Sequence, residues 1–374
     1  MRFPEFSGEW EEHTLSEYLE FKNGLNPDAK RIGSGLPFIS VMDILSEGVI
    51  NYDNIRGKVN ATEKEIECFG VKDGDLLFQR SSETLEDVGR ANVYMDNRTA
   101  IYGGFVIRGR KIGNYDPLFF KYLLATPLAR KRTCRMGAGA QHFNIGQEGL
   151  SKISLYFPSI EEQRKIAGFL SLIDERIATQ NIIIEDLKKL KSAIRKKIFS
   201  LLKDEYTKSF EINQLLDYEQ PTAYIVANDE YSTDTRLTPV LTANKGFILG
   251  YTDEKNGIYQ KGACIIFDDF TMDAKYVSFP FKVKSSAIKI LTAKPNVNLR
   301  FMFEYLSHWE LKSEEHKRHY ISEISPLVIE LPSKEKQNII ALLMTSLNNK
   351  LTIEEKAKIR YEVQKGYLLS QMFI

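Results

Sequence analysis

The feature that most constrains this fold is a 42-residue segment that occurs twice. Residues 158–199 align without a gap on residues 332–373, at an offset of 174 residues. The two copies begin alike, with "PSIEEQRKIA" and "PSKEKQNIIA", and neither contains a second proline. Because a chain of 374 residues is expected to form two or three domains, the repeat predicts two halves of the same plan.

Apolar residues recur along both copies at spacings of 3, 4 and 7, which is the pattern of one apolar stripe on a long helix. About 40 residues at ~1.5 Å each give a helix of roughly 60 Å. A stripe of that length needs a partner along it, and the other copy is the simplest one. The stripe residues are Ile166, Leu170, Ile173, Ile177, Leu187, Ile194 and Ile198 in the first copy and Ile340, Met344, Leu347, Leu351, Tyr361, Leu368 and Met372 in the second.

We expect the two helices to pair in antiparallel directions, because the first leaves one block of the chain and the second returns from the other. The predicted fold is α+β, with two mixed α/β domains separated by an antiparallel coiled coil and related by an approximate two-fold axis. There are two alternatives: the helices form a dimerisation stalk, or each packs separately on its own domain. The predicted domains are residues 1–157 and 204–330, and the predicted helices are residues 158–203 and 331–374.

Polar residues mark the repeat at two places. At the helix start, Ser159 is a candidate N-cap and Glu162 completes a capping box, whereas the second copy has Lys336 in place of the acid. On the apolar stripe, Lys191 and Lys365 occupy matching positions. We expect these two lysines to extend to solvent; the alternative is that they fix the register of the helix pair.

The two larger blocks follow a common order of elements. In the first block, "LPFISVMDI", "GDLLFQRS" and "YGGFVIRG" predict strands, "DPLFFKYLLATPLAR" predicts a helix, and a loop with the sequence "KRTCRMGAGAQHFNIG" follows. In the second block, "KGACIIFDD" and "YVSFPFKVKSS" predict strands and "NLRFMFEYLSHW" predicts the matching helix. Each half of the chain is therefore expected to be a mixed α/β block followed by a long helix.

Catalytic signatures are missing from the sequence. It contains no Asn-Pro-Pro-Tyr motif, no Gly-rich cofactor turn and no P-loop. Its five histidines show no metal spacing, and its three cysteines suit neither a disulfide framework nor a metal site. Without a run of 18 apolar residues or a signal-peptide pattern at the start, the sequence predicts a non-catalytic cytoplasmic protein with no cofactor or metal of its own and no membrane partner.

Positive charge is concentrated in the repeat. Residues 158–203 carry 10 Lys and Arg against 6 Asp and Glu, and residues 331–374 carry 7 against 4. The blocks carry 20 against 21 in residues 1–157 and 14 against 19 in residues 204–330. This is not the pattern of a uniformly basic nucleic-acid-binding domain, so any contact with nucleic acid must come from local patches.

The chain resembles, over its whole length, the specificity subunits of type I restriction-modification systems. The resemblance rests on the P-S-x-x-E-Q-x-x-I helix start at residues 158–166, on its copy at residues 332–340, on "GDLLFQRS" at residues 74–81, and on the two-half architecture. The second copy departs from the motif by having Lys-Gln at residues 336–337, and the second block has no Gly-rich counterpart of "GAGAQHFN".

The resemblance implies two target recognition domains, each of which reads one half of a split, asymmetric sequence in double-stranded DNA. It also implies that the long helices act as a ruler and as the docking surface for two methyltransferase subunits, with restriction subunits as further partners. S-adenosylmethionine, ATP and Mg are then expected only in those partner subunits.

Reading of DNA requires Arg or Lys to contact guanine and Asn or Gln to contact adenine, with further basic and hydroxyl groups on phosphates. Candidates in the first block are Arg80, Ser81, Arg130, Lys131, Arg132, Arg135, Gln141, His142 and Asn144. Candidates in the second block are Asn244, Lys245, Lys275, Lys282, Lys284, His316, Lys317, Arg318 and His319. Gly137 and Gly139 would allow the backbone to approach DNA closely. The alternative for each candidate is a solvated surface residue.

A different class of function is also compatible with the pattern. A non-catalytic scaffold protein could use the coiled coil to join two protein-binding domains. Binding to DNA phosphates weakens steeply with salt, whereas an apolar scaffold contact does not, so salt dependence separates the two hypotheses.

Overall fold

The computed structural model describes residues 2–139, 141–202, 208–242, 246–309, 311 and 317–373. The chain divides into two compact units, one formed by Met1–Asn181 with Lys356–Ile374 and the other by Ile182–Glu355. Both long helices are therefore shared between the units. The division of the sequence at residues 157, 203 and 330 stays a prediction, because the compact units are divided within the helices.

Unit 1 begins with short strands and helices, and eight of these strands form two four-stranded sheets. These elements are β1 (Glu11–Thr14), β2 (Leu19–Asn23), β3 (Ile32–Ile39), α1 (Val41–Ile44), β4 (Gly57–Val59), α2 (Glu63–Phe69), β5 (Gly70–Val71), β6 (Leu76–Gln79), β7 (Ser81–Ser82), β8 (Ala91–Val93), β9 (Ala100–Tyr102) and β10 (Val106–Lys111). A helical part follows, with α3 (Pro117–Ala125), α4 (Pro127–Cys134), β11 (Phe143–Asn144), α5 (Gln147–Ser151), β12 (Ser154–Phe157) and the long helix α6 (Ile160–Leu202).

Unit 2 repeats this plan with fewer elements. They are β13 (Lys208–Glu211), α7 (Ile212–Leu215), β14 (Leu216–Glu219), β15 (Thr238–Leu241), β16 (Ile248–Thr252), β17 (Cys264–Asp268), β18 (Ala274–Val277), β19 (Lys282–Val283), β20 (Ile288–Ala293), α8 (Leu299–His308), β21 (Val328–Leu331) and the long helix α9 (Lys334–Met372).

The strand order is the same in the main sheet of both units. Unit 1 has the antiparallel order β2-β10-β6-β8, and unit 2 has β14-β20-β17-β18. A second sheet contains one parallel pair in each unit, β3 with β9 and β15 with β19. The strand before each long helix pairs with the first strand of its block, β12 with β1 and β21 with β13. The common plan expected from the sequence is therefore confirmed.

The apolar stripes are buried within the units, and the helices pair in antiparallel directions. In unit 1, the start of α6 shares a core with the end of α9. In unit 2, the start of α9 shares a core with the end of α6. The stripe residues in the first core are Ile166, Leu170, Ile173, Ile177, Leu368 and Met372, with Tyr361 packed against it. Those in the second are Ile340 and Met344, with Ile194, Ile198 and Leu347 packed against it. Leu187 and Leu351 are half-buried, and Ile184 is a buried residue of α6 that the stripe did not include.

A buried glutamine fixes the start of each long helix. Gln163 donates from Nε2 to the Pro158 carbonyl at 3.0 Å and accepts at Oε1 from the Asp116 backbone N–H at 3.1 Å. In unit 2, Gln337 makes the same pair of bonds, to the Pro332 carbonyl at 2.9 Å and from the Asn298 N–H at 2.8 Å.

Each glutamine also joins its long helix to a short helix of the same unit, Gln163 to α3 and Gln337 to α8. Asp116 and Asn298 are the N-caps of α3 and α8, because their side chains accept from backbone N–H groups in the first turn. This double hydrogen bond explains why the repeat keeps glutamine at this position while the residue before it changes.

That preceding residue does not close a capping box in the first copy. The Glu162 carboxylate instead binds the Arg2 guanidinium with two hydrogen bonds of 2.7 Å each. The N-cap itself is confirmed, since the Ser159 hydroxyl accepts from the Glu162 N–H at 3.3 Å. Because the cap does not use the Glu162 side chain, Lys336 is accommodated in the second copy, where the Ser333 hydroxyl accepts from the Lys336 N–H at 3.3 Å.

The expectation that both stripe lysines extend to solvent is wrong for Lys365. Its ammonium lies 2.6 Å from Asp174 Oδ1 on the antiparallel helix, and the Tyr122 hydroxyl donates to the other oxygen of Asp174 at 2.8 Å. This pair fixes the register of the two helices within unit 1. Lys191 is half-buried in unit 2, and burial lowers the pKa of its ammonium group.

A fully buried carboxylate takes the corresponding place in unit 2. Glu304 of α8 accepts from the Arg195 guanidinium at 3.0 and 2.7 Å. Asn348 of α9 donates to it at 3.4 Å, and Arg300 lies 3.5 Å away. Arg195 is therefore committed to the packing of the helix pair, which accounts for one of the positive charges of the helical segment.

Gln337→Met is expected to lower the free energy of unfolding of unit 2 by about 1–3 kcal/mol, because two buried polar groups lose their partner. Native-state hydrogen exchange of amides in α8 and at the start of α9 measures this loss. Gln364→Met is the matched control, since Gln364 is an exposed glutamine of the same helix. Equal effects of the two substitutions would contradict the proposed role of Gln337.

Candidate nucleic-acid interface

In the Gly-rich loop of unit 1, Ala138 pairs closely with Asn144, and we call the described residues 138–139 and 141–144 the hairpin. Ala138 and Asn144 exchange two backbone hydrogen bonds, each of 2.9 Å. Gly139 has a φ of +143°, and a Cβ at this position would lie 2.0 Å from the His142 carbonyl oxygen. Only glycine fits there. The hairpin presents Gln141 and His142 as exposed side chains.

Other candidates of unit 1 adjoin this hairpin. Strand β11 pairs with β7, so that Asn144 lies opposite Ser81, and the Ser81 hydroxyl donates to the Asn144 side-chain oxygen. The Arg80 carbonyl accepts from the Ile145 N–H at 3.0 Å. The structure thus brings Arg80, Ser81, Gln141, His142 and Asn144 together, and we refer to these five residues as the hairpin surface.

The basic residues of α4 divide into two kinds. Arg130 donates to the carbonyls of Glu86 and Val88 at 2.8 and 2.6 Å, and burial lowers the pKa of its guanidinium. Arg132 lies 2.7 Å from Glu12 Oε1 and donates to the Ser154 hydroxyl at 3.0 Å.

Both arginines therefore make internal contacts and are half-buried, and their contact with bases stays a prediction. Lys131 lies between them in the sequence, and Arg135 is the C-cap of α4. Both of these side chains are exposed, so they remain available to a phosphate backbone.

In unit 2 the structure buries two of the candidates. Lys282 is 3% exposed; its ammonium lies 2.6 Å from Glu254 and donates to the Asn256 carbonyl at 2.7 Å. This lysine also holds the pKa of the Glu254 carboxyl below its usual value. His319 is likewise 3% exposed, with Nδ1 placed 2.8 Å from Glu323 Oε2.

The remaining candidates of unit 2 lie on separate elements. Lys275 is half-buried on β18, Lys284 is exposed just after β19, and Arg318 is exposed before the helical turn Tyr320–Ile324. Lys317 is also exposed, and its ammonium lies 2.9 Å from Glu323. The candidates Asn244, Lys245 and His316 lie outside the described residues.

Sequence reasoning missed an exposed aromatic residue beside the hairpin surface. The Arg80 N–H donates to the Phe105 carbonyl at 2.9 Å, and the Arg80 guanidinium donates to the Gly104 carbonyl at 3.3 Å. Phe105 is 69% exposed at the turn between β9 and β10. The letters "GGF" indicated a turn but gave no sign that the aromatic side chain faces solvent.

The described part of the chain offers neither a metal site nor a membrane-spanning helix. No group of three or more His, Cys, Asp or Glu side chains there is arranged to hold a metal ion. Among the helices described, none is long and apolar enough to cross a membrane.

Comparison with known proteins gives matches in both halves of the chain. The family described as "Type I restriction modification DNA specificity domain" matches residues 7–189 and 204–363. The EcoR124I/EcoR124II specificity subunit of a type I restriction enzyme from Escherichia coli is 39% identical over 178 residues, which cover 42% of this chain and 43% of that relative. The MjaVIII specificity subunit from Methanocaldococcus jannaschii is 26% identical over 204 residues, which cover 54% of this chain and 43% of that relative. Each of these two matches spans less than half of the relative.

A solved structure extends the likeness of the fold to the whole chain. The crystal structure of the S subunit of a type I restriction-modification system from M. genitalium has a TM-score of 0.65, with 98% of this chain and 96% of that chain covered. At 15% sequence identity this likeness concerns the fold alone. The family match, however, covers most of the sequence and occurs once in each half, so the chain belongs to the type I restriction-modification DNA specificity family.

Proposed function

We propose that this chain is the DNA sequence-specificity subunit of a type I restriction-modification complex and has no catalytic activity of its own. It reads a bipartite, asymmetric target and directs methyltransferase and restriction subunits to it. The observation that carries this proposal is the double occurrence of one module. Two blocks with the same strand order are each fixed by a buried glutamine to a long helix, in a chain that the specificity family matches in both halves.

The hairpin surface is the proposed reading surface of unit 1. Asn144 and Gln141 supply amide groups that suit adenine, while Lys131 and Arg135 supply exposed cations that suit phosphates. Unit 2 offers a different set, Lys275, Lys284 and Arg318. Because the two units present different side chains, the two half-sites are expected to differ in sequence.

The long helices provide the proposed docking surface for two methyltransferase subunits. Large apolar side chains remain exposed on both helices, outside the stripes that pair them. They include Leu172, Ile182 and Leu190 on α6 and Ile339, Leu342, Ile353, Val363 and Tyr367 on α9. Exposed apolar surface of this kind marks interaction sites. S-adenosylmethionine, ATP and Mg are assigned to the partner subunits, and this assignment stays a prediction.

Sequencing of the methylome tests the proposal. Cells carrying this chain with its methyltransferase partner are compared with cells carrying the partner alone. We expect a new split methylation motif that depends on the chain. Absence of any chain-dependent methylation would favour the scaffold hypothesis, in which the two domains bind proteins and not DNA.

Removal of an exposed cation should weaken binding to all sequences alike. Arg135→Ala is expected to lower the affinity for DNA and to reduce the slope of log affinity against log salt by about 1, because one phosphate contact is lost. Fluorescence anisotropy over a salt series measures both quantities. Lys64→Ala is the matched control, since Lys64 is an exposed lysine on α2. Salt slopes that agree for the two variants would contradict the phosphate contact.

Substitution of Asn144 should change specificity. Because Asn144 belongs to the hairpin surface, Asn144→Ala is expected to relax the preference at one base pair of a half-site, at a cost of about 1–3 kcal/mol for the preferred base. Methylation rates on a panel of single-base variants measure this preference. A uniform fall in rate over the whole panel would show that Asn144 acts on folding or on the DNA backbone.

Lengthening the helix pair should change only the spacer. The chain divides into its two units after residues 181 and 355, which occupy the same position of the repeat. Seven extra helical residues at both places preserve the phase of the apolar stripe and add about 10 Å, or about three base pairs. The methylome is expected to show a longer spacer with unchanged half-sites. Insertion into one helix alone is the control, and it should abolish the pairing.

A further inference from the structure

A concave apolar pocket lies beside the hairpin surface of unit 1. Its volume is about 420 Å³. It is lined by Leu25, Asn26, Ile32, Phe38, Met42 and Phe105, with the turn at residues 103–104. We refer to it as the Phe105 pocket. No residue of this pocket contributes to the helix pair or to the predicted set of DNA contacts.

The rim of the Phe105 pocket consists of large apolar side chains that face solvent. Ile32 is 53% exposed, Met42 is 70% exposed and Phe105 is 69% exposed. Single exposed apolar residues are ordinary, but a cluster around a concavity marks a binding site. The floor is well packed by contrast, because Ile39 and Val106 are fully buried.

A backbone hydrogen bond closes the turn that presents Phe105. The Val106 N–H donates to the Gly103 carbonyl at 2.9 Å. The Asn26 side chain packs against Gly104, where a Cβ would lie 1.7 Å from the Asn26 side-chain oxygen. The backbone of this turn places Phe105 at its tip.

The position of the pocket favours DNA over the partner subunits. Both the amide and the guanidinium of Arg80 are bonded to the turn, which makes the pocket continuous with the hairpin surface. Strand β10 starts directly after Phe105 and runs for about 20 Å to Lys111, whose ammonium donates to the Tyr115 carbonyl. Asp116, which follows Tyr115 in the sequence, donates from its backbone N–H to Gln163 at the start of α6. The pocket thus lies at the end of the sheet away from the helix that carries the proposed docking surface.

The size of the pocket decides what part of DNA it can accept. The only apolar group on the edge of a base pair in the major groove is the thymine methyl group, which is far smaller than this concavity. A volume of about 420 Å³ falls in the range of pockets that hold a whole small molecule. The wall contributed by Phe38 suits stacking with a nucleobase ring, which exposes its faces when it leaves the duplex stack. Phe105 stands at the exposed rim of the pocket.

We propose that the Phe105 pocket receives one nucleobase displaced from the half-site read by unit 1, with Phe105 inserted as the wedge that displaces it. This inference rests on the proposed function. Apolar wedges unstack and bend a duplex at deformable steps. Base pairs differ in how easily they open, and the pocket therefore adds a preference for the sequence at that base pair. The captured base is distinct from the base that the methyltransferase modifies.

The test uses the full chain assembled with its methyltransferase partner and duplexes that carry the bipartite target. A mismatch is introduced at each position of the unit 1 half-site in turn, apart from the methylated base pair. At one position the mismatch is expected to tighten binding several-fold, because an unpaired base costs less to extract. Phe105→Ala is expected to remove that gain and to weaken binding to the intact target about tenfold.

Two variants control for indirect effects. Phe105→Trp retains an aromatic wedge and should keep the mismatch gain. Ile112→Ala removes an apolar side chain that is 59% exposed at the opposite end of β10 and should leave binding unchanged. If sequence-specific binding persists in Phe105→Ala with the mismatch gain intact, the proposal is overturned while the proposed function stands.

Two other results would also overturn it. A tenfold loss on replacing one thymine by deoxyuridine, without any mismatch gain, would assign the pocket to a thymine methyl group. Unchanged DNA binding in Phe105→Ala combined with weaker assembly with the methyltransferase would assign it to the partner protein.

Discussion

The core of each compact unit includes the C-terminal end of the long helix that begins in the other unit. The rest of the structure depends on this exchange of helix ends. The first part of α6 and of α9 packs on the block that precedes it, and the second part packs in the other unit. Eight of the fourteen stripe residues are buried, each contributing about 1.5–3 kcal/mol of burial energy. Neither unit could complete its core from its own half of the sequence. Helices of similar length follow from this constraint, and so does the repeat without a gap.

Different polar contacts hold the C-terminal end of α9 in unit 1 and the C-terminal end of α6 in unit 2. In unit 1 the acid, Asp174, lies on the long helix and meets Lys365. In unit 2 the acid, Glu304, lies on the short helix and meets Arg195. The residue of α9 that corresponds to Arg195 is Leu369. Packing of the wrong helix end in unit 2 would therefore remove Arg195 from the buried Glu304 and leave it with the longer 3.5 Å contact to Arg300, which is costly. These charges thus favour one assignment of the helix ends over the other.

The fold could be predicted from the sequence much more fully than the site. A stripe repeated over 42 residues reports burial directly, because only one face of a long helix can pack. A lysine or arginine in a block carries no such signal. Arg132 and Lys282 were assigned to DNA, but tertiary partners far away in sequence, Glu12 and Glu254, hold them. Periodicity cannot detect such partners. Phe105 was missed because an aromatic residue in a strand-like segment predicts a buried side chain, whereas the structure exposes it.

The difference between the similar helices and the dissimilar blocks has a physical origin in how each is held. The helix starts depend on particular side chains, since only a glutamine placed as Gln163 or Gln337 both donates to and accepts from the backbone there. The hairpin surface and the Phe105 turn depend instead on backbone hydrogen bonds and glycines. Side chains at their tips can change without loss of the supporting contacts. The side chains of the hairpin surface can therefore change while the contacts that fix the starts of the long helices stay the same.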